Sequence, residues 1–144
     1  YTTLFRSDQP LGSTGAAVQA WENQGHKPGG NYATNPYVED VQRGLNLILS
    51  RSYPYPIYIE DARDPDTLVN GFGIHSIYQS QLYETGIVLM ALASTGDASL
   101  VNQVGGFGLF GRTYGDIAQV MVAFLAVLYG LEKELILSVV KRKA

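Results

Sequence analysis

Thr14-Gly15-Ala16-Ala17-Val18-Gln19-Ala20-Trp21-Glu22-Asn23-Gln24-Gly25 and Thr85-Gly86-Ile87-Val88-Leu89-Met90-Ala91-Leu92-Ala93-Ser94-Thr95-Gly96 are two stretches whose likeness points to an internal repeat. They align at a constant offset of 71, with Thr-Gly near the start, Ala20 matching Ala91 and glycine at the end. A second pair follows each of them: Tyr37, Glu39 and Gln42 match Tyr114, Asp116 and Gln119 at an offset of 77. The offsets differ because the intervening loops differ in length. Each unit reads as a Thr-Gly helix, a glycine-rich loop and a Tyr-x-acid-x-x-Gln helix. Repeated supersecondary units of this size bury their apolar faces by stacking on one another.

The pattern predicts a first helix over 14–23, with Ser13 as N-cap and Gly25 as stop. Ala17, Ala20 and Trp21 share one face of it. Asn35 caps a second helix with Pro36 in its first turn, and Glu39 and Asp40 suit the positive end of the helix dipole. Val38, Val41, Leu45, Ile48 and Leu49 recur at helical spacing, and the helix ends near Ser52 because Pro54 and Pro56 follow. A third helix is expected over 81–94; Ile87 to Ala93 is apolar all the way round, which predicts burial. The fourth starts near Thr113, where Tyr114, Ile117, Met121, Phe124 and Leu128 step by three and four. Residues 53–79 read as a long irregular connection, with Ile57-Tyr58-Ile59 as a short extended piece.

The chain has 144 residues, 46% of them apolar and only 16% charged, which describes a globular domain with well-packed helix surfaces. A net charge of −3 gives no reason to expect a nucleic-acid partner. There is no cysteine, hence no disulfide framework and no thiolate metal site. The longest apolar run, Val120 to Leu131, is short for a bilayer and is followed by Glu132, Lys133 and Glu134, so no membrane span is expected. Tyr1-Thr2-Thr3-Leu4-Phe5-Arg6-Ser7 looks like a translated sequencing-adaptor end. Residues 1–7 are therefore expected to be an assembly scar on a truncated protein.

These residues resemble the α/α-toroid repeats of the prenyltransferase and squalene (terpenoid) cyclase superfamily, most of all repeat proteins of unassigned activity from bacteria and archaea. The cues are Thr14 to His26, Tyr37 to Leu45, Tyr83-Glu84-Thr85-Gly86 and Gly111-Arg112-Thr113-Tyr114. The likeness covers residues 12–129. It implies inner helices lining a central cavity and outer helices wrapping them, with the third helix inner and the fourth outer. Two hairpins do not close a toroid, so an open apolar edge is expected. Residues 131–144 depart from the repeat and read as a divergent helix or tail. The glutamine-tryptophan signature of the cyclases is absent.

Glu60-Asp61-x-x-Asp64 is one carboxylate short of the Asp-rich motif with which isoprenoid enzymes hold magnesium diphosphate, and Pro65 interrupts it. Asp64-Pro65-Asp66-Thr67 lacks the last aspartate of the cyclase acid motif, whose crowding raises one carboxyl so that it can protonate an alkene. Asp64, Asp66 and Asn70 before Gly71 form a candidate calcium set, although Leu68-Val69 breaks the alternating ligand spacing. His26 and His75 stand alone in loops, as surface or capping histidines rather than zinc ligands. Gly105-Gly106-Phe107-Gly108 follows no strand and makes no phosphate cradle. Tyr53, Tyr55 and Tyr58 beside prolines form a strip suited to stacking on a sugar or a partner chain, or to packing the connection over helix ends.

The expectation is an all-α fold of two consecutive helix hairpins of an incomplete α/α-toroid, repeat one over about 12–52 and repeat two over about 81–129. The role expected is a noncatalytic scaffold or binding domain of a larger prokaryotic protein, without catalytic residues or cofactor. Its partners would be neighbouring helical repeats of the same full-length protein. The alternatives are a piece of a cyclase-like or prenyltransferase-like enzyme whose catalytic residues lie elsewhere, and a calcium-stabilised module of the extracellular space or cell envelope.

Overall fold

The computed structural model describes residues 10–57, 71–76, 81–106, 108–129 and 140–142. Helix α1 (Pro10–Asn23) opens on a proline, whose missing N–H costs nothing in a first turn. It starts one turn earlier than the Ser13 cap predicts. Its end is a Schellman turn: Gly25, at φ 91°, donates to Glu22 O at 3.0 Å, and the His26 amide reaches Trp21 O at 3.1 Å. The buried stripe of α1 is Leu11, Gly15, Val18 and Glu22, whereas Ala17, Ala20 and Trp21 face outward.

Helix α2 (Tyr37–Ser50) buries Val38, Val41, Leu45, Ile48 and Leu49. Asn35 Oδ1 accepts the Tyr37 amide at 3.2 Å just ahead of it. Strand β1 (Ser52–Pro56) then pairs antiparallel with β2 (Phe72–Ser76), with Ser52 opposite Ser76 and Pro56 opposite Phe72. Helix α3 (Gln81–Ser94) ends at Gly96, again at positive φ. Helix α4 (Tyr114–Tyr129) is capped by Thr113, whose Oγ1 accepts the Asp116 amide at 3.1 Å.

The two-stranded sheet overturns the all-α toroid expectation. Residues 53–79 are not irregular throughout. Pro54 and Pro56 hold φ near −65° and push their neighbours out of the helical region, so Tyr53 to Pro56 is extended. Both prolines sit on a strand of a two-stranded sheet, where a missing N–H is tolerated. Opposite them β2 buries Ile74 completely.

Helix α1 lies against both α2 and α3; α3 also packs on α4, and β2 covers α4 and the start of α3. The sheet changes what α4 needs. An outer amphipathic helix would bury only Tyr114, Ile117, Met121 and Phe124. With β2 across it, α4 also buries Val120, Val122, Ala123, Leu125 and Ala126, while Leu128 is exposed. The approach is close: a Cβ on Gly73 would stand 2.9 Å from Phe124 Cα.

One buried carboxylate ties three elements together. Glu84 is fully buried; its Oε1 accepts the Gly12 amide in the first turn of α1 at 3.3 Å, and its Oε2 accepts the Ser76 hydroxyl at 2.9 Å. The Ser76 amide in turn donates to Thr85 Oγ1 at 3.0 Å. Glu84→Gln keeps the volume but loses the charge and one acceptor; with its oxygen on the Gly12 amide, its NH2 makes the Ser76 hydroxyl turn from donor to acceptor. The expected cost is about 2 kcal/mol, read as a lower thermal midpoint, with Glu84→Asp no better because it is too short to span both partners.

Candidate functional site

Apart from the Glu84 cluster, a second group of polar side chains gathers at the seam where α1 and α2 meet the end of α3 and the start of α4. Glu22 reaches it because it follows Leu11, Gly15 and Val18 on the buried stripe of α1. Its residue is 1% exposed, and neither carboxyl oxygen has a hydrogen-bond partner among the described residues. Burial pushes the Glu22 pKa up to about 8, against the pull of the Lys27 charge. Glu22 therefore carries its proton at neutral pH.

Around it, Gln42 on α2 donates to the Tyr114 hydroxyl at 2.9 Å and to Asn46 Oδ1 at 3.0 Å. The Tyr114 phenol is held above its ordinary pKa, chiefly by burial; the Gln42 bond acts in the opposite sense, and the Glu22 charge adds to the rise. Lys27 Nζ donates to the Ser94 carbonyl, and Ser94 Oγ donates to Met90 O at 2.9 Å. Gln19 Nε2 reaches Ser94 Oγ at 3.5 Å. Every one of these links between the helix pairs joins a residue of the first pair to one of the second.

A carboxyl with a raised pKa is the usual starting point for general acid catalysis. Such a group must reach the atom it protonates. Glu22 is enclosed, so its chemistry in this conformation is that of a proton held inside an interface.

A cavity of about 270 Å³ lies at the far side of the second helix pair. Its walls come from the end of α3, the turn at 95–98, the first turns of α4, and Val140 and Lys141. The lining is mostly apolar, with Tyr114, Thr95, Asp97 and Gln119 as its polar edge.

The outer surface near Trp21 carries a second group of rings. Tyr37 lies 4.7 Å from the His26 ring and 6.4 Å from Trp21, and Trp21 and Tyr37 are exposed. His26 Nδ1 and Asn35 Oδ1 are 3.0 Å apart, which makes His26 a loop fastener.

The candidate calcium residues Asp64, Asp66 and Asn70 lie outside the described residues, as do Glu60, Asp61 and Tyr58. Among the described residues no group of three His, Asp or Glu side chains is placed to hold a metal ion. Of the tyrosine strip, Tyr53 is exposed, and Tyr55 packs edge-on against Phe124 at 5.2 Å. His75 stacks on the same Phe124 ring at 5.2 Å, and its Nδ1 donates to Ser76 O at 2.7 Å. Among the described residues no helix is long and apolar enough to cross a membrane.

Sequence reasoning passed over Glu22 and Glu84. For Glu22 the signal was present: an acid in register with Leu11, Gly15 and Val18. Glu84 gives no such signal, because its partners Gly12 and Ser76 are distant or adjacent only through the fold. Compared with known proteins, the chain matches no family model, no curated protein and no solved structure.

Proposed function

We propose that this chain is a noncatalytic scaffold or binding module of a larger bacterial or archaeal protein, and that it acts by stacking helix pairs on pairs of the same kind. The observation that supports this best is the seam itself. Gly15 lets α3 come so close that a Cβ there would stand 3.0 Å from Ile87 Cγ2. Neither pair buries its apolar stripe without the other: Val18, Val41 and Leu45 belong to the same continuous core as Val88, Leu92 and Met121. The partners in this reading are neighbouring helical repeats of the full-length protein. Kinship with the prenyltransferase and squalene-cyclase superfamily rests on the sequence cues alone.

The enzyme alternative places its catalytic residues elsewhere in the full-length protein; among the described residues the carboxyl raised by burial is the enclosed Glu22. The calcium alternative rests on Asp64, Asp66 and Asn70, and a thermal midpoint unmoved by added calcium removes it.

Gly15→Leu tests the scaffold reading. The added side chain overfills the α1–α3 contact, and the expected loss is about 2 kcal/mol. Hydrogen exchange should show α1, α2, α3 and α4 losing protection together. Protection lost from α1 and α2 alone, with α3 and α4 unchanged, would remove the reading.

A further inference from the structure

The internal repeat relates each surface of the seam to a surface at the far end of the molecule. Two sets of residues build the seam. From the second pair come Ser94, Ala91, Ile87 and Tyr114; Ala91 is fully buried, and Ser94 and Tyr114 nearly so. Shifted by the repeat offsets, these become Asn23, Ala20, Ala16 and Tyr37 of the first pair, and all four are exposed. From the first pair come Gly15, Glu22 and Gln42. Their counterparts in the second pair are Gly86, Ala93 and Gln119. Gly15 lies against Ile87, whereas a Cβ on Gly86 would meet no described atom within 4 Å. Gln42 is committed to the Tyr114 hydroxyl, whereas Gln119 is exposed at the rim of the 270 Å³ cavity, which Ala93 also lines.

Each end of the molecule thus displays one half of the interface that its middle already contains. From this, and resting on the scaffold reading above, we infer that the chain docks head to tail on a second copy of itself. The α1 face of one copy, with Ala16, Ala20 and Asn23, lies on the open Gly86 face of the other. Tyr37 enters the cavity as Tyr114 enters the seam, and its hydroxyl accepts from Gln119 as Tyr114 accepts from Gln42. The small side chains Ala16 and Ala20 suit a close approach of helices, which Gly86 permits on the receiving side. The contact is heterologous: it uses two different surfaces, so each copy offers one of each and chains of copies form.

The test uses two single-arginine variants of the full chain. Gly86→Arg fills the receiving notch and leaves the α1 face intact. Ala20→Arg places a charge on the α1 face and leaves the notch intact. Ala20 is exposed and no described atom lies within 4 Å of a Cβ on Gly86, so both variants should melt within a few degrees of the parent. In sedimentation equilibrium from low to high micromolar concentration, the parent should gain average mass with concentration. Each variant alone should stay a monomer. Their equimolar mixture should give a one-to-one dimer, because one intact pair of surfaces survives.

A mixture that stays monomeric overturns the proposal, and so does a variant that self-associates alone. If Gly15→Leu unfolds all four helices together while the mixture stays monomeric, only self-docking falls and the scaffold reading stands.

Discussion

Phe124→Ala is expected to lower the stability of the chain by about 4 kcal/mol, the range for deleting a fully buried aromatic ring. Phe124 is completely enclosed. Its ring carries His75 on one side at 5.2 Å and the edge of Tyr55 at 5.2 Å, and β2 runs across its backbone at Gly73. Removing the ring therefore leaves a cavity under the sheet as well as within α4. A two-stranded sheet alone is marginal in water, so β1 and β2 depend on this platform. The Ile74 region should lose hydrogen-exchange protection before the helices do. Phe124→Leu, which retains most of the volume, should cost about 1–2 kcal/mol. Urea denaturation of the three chains gives the comparison, and a loss under about 1 kcal/mol for alanine would show that the hairpin does not rest on Phe124.

Glu22→Gln is expected to stabilise the chain at alkaline pH and to change little in acid. The sign follows from linkage. The folded pKa of about 8 lies above the ordinary carboxyl value of 4.5, so the fold binds the proton more tightly than the unfolded chain does. The stability from this group is fully present below pH 4.5 and is lost as pH rises toward 8. Lys27, whose charge favours the ionised form, is the titratable group that acts on it. The shift corresponds to an alkaline penalty on the order of 3 kcal/mol after screening. Glutamine has no proton to lose. At pH 9 the variant should be more stable than the parent by that amount, and at pH 4 the two should melt together. A parent whose midpoint does not fall between pH 5 and 8 relative to the variant would show that Glu22 is solvated.

The helices were legible because their signals are local. Periodic Val38, Val41, Leu45, Ile48 and Leu49, the Thr113 cap and the glycines at 25 and 96 each act within a turn of themselves. The sheet was not legible, because Tyr53-Pro54-Tyr55-Pro56 looks the same in a loop as in a strand. What makes it a strand is Phe72–Ser76, across a long connection. The face of α1 was misread for a related reason: alanine and tryptophan look more apolar than glycine, yet Gly15 is buried because Ile87 comes so close to it. The seam could be located only once the packing of α1 on α3 was known.

That packing also sets the order in which the molecule can be made. The hydrogen bonds crossing between the helix pairs join residues 67 to 75 positions apart. Loops of that size close late, and no contact across them forms until both ends exist. A ribosome adding about 5–20 residues per second needs roughly 4–15 s for that stretch. Throughout this interval α2 can cover the Val18 side of α1, but the Gly15 side of the emerging polypeptide still lacks Ile87. The newborn first half is thus a natural client for a chaperone that binds greasy helices, and it should be released only after Ser94 and Tyr114 have left the exit tunnel.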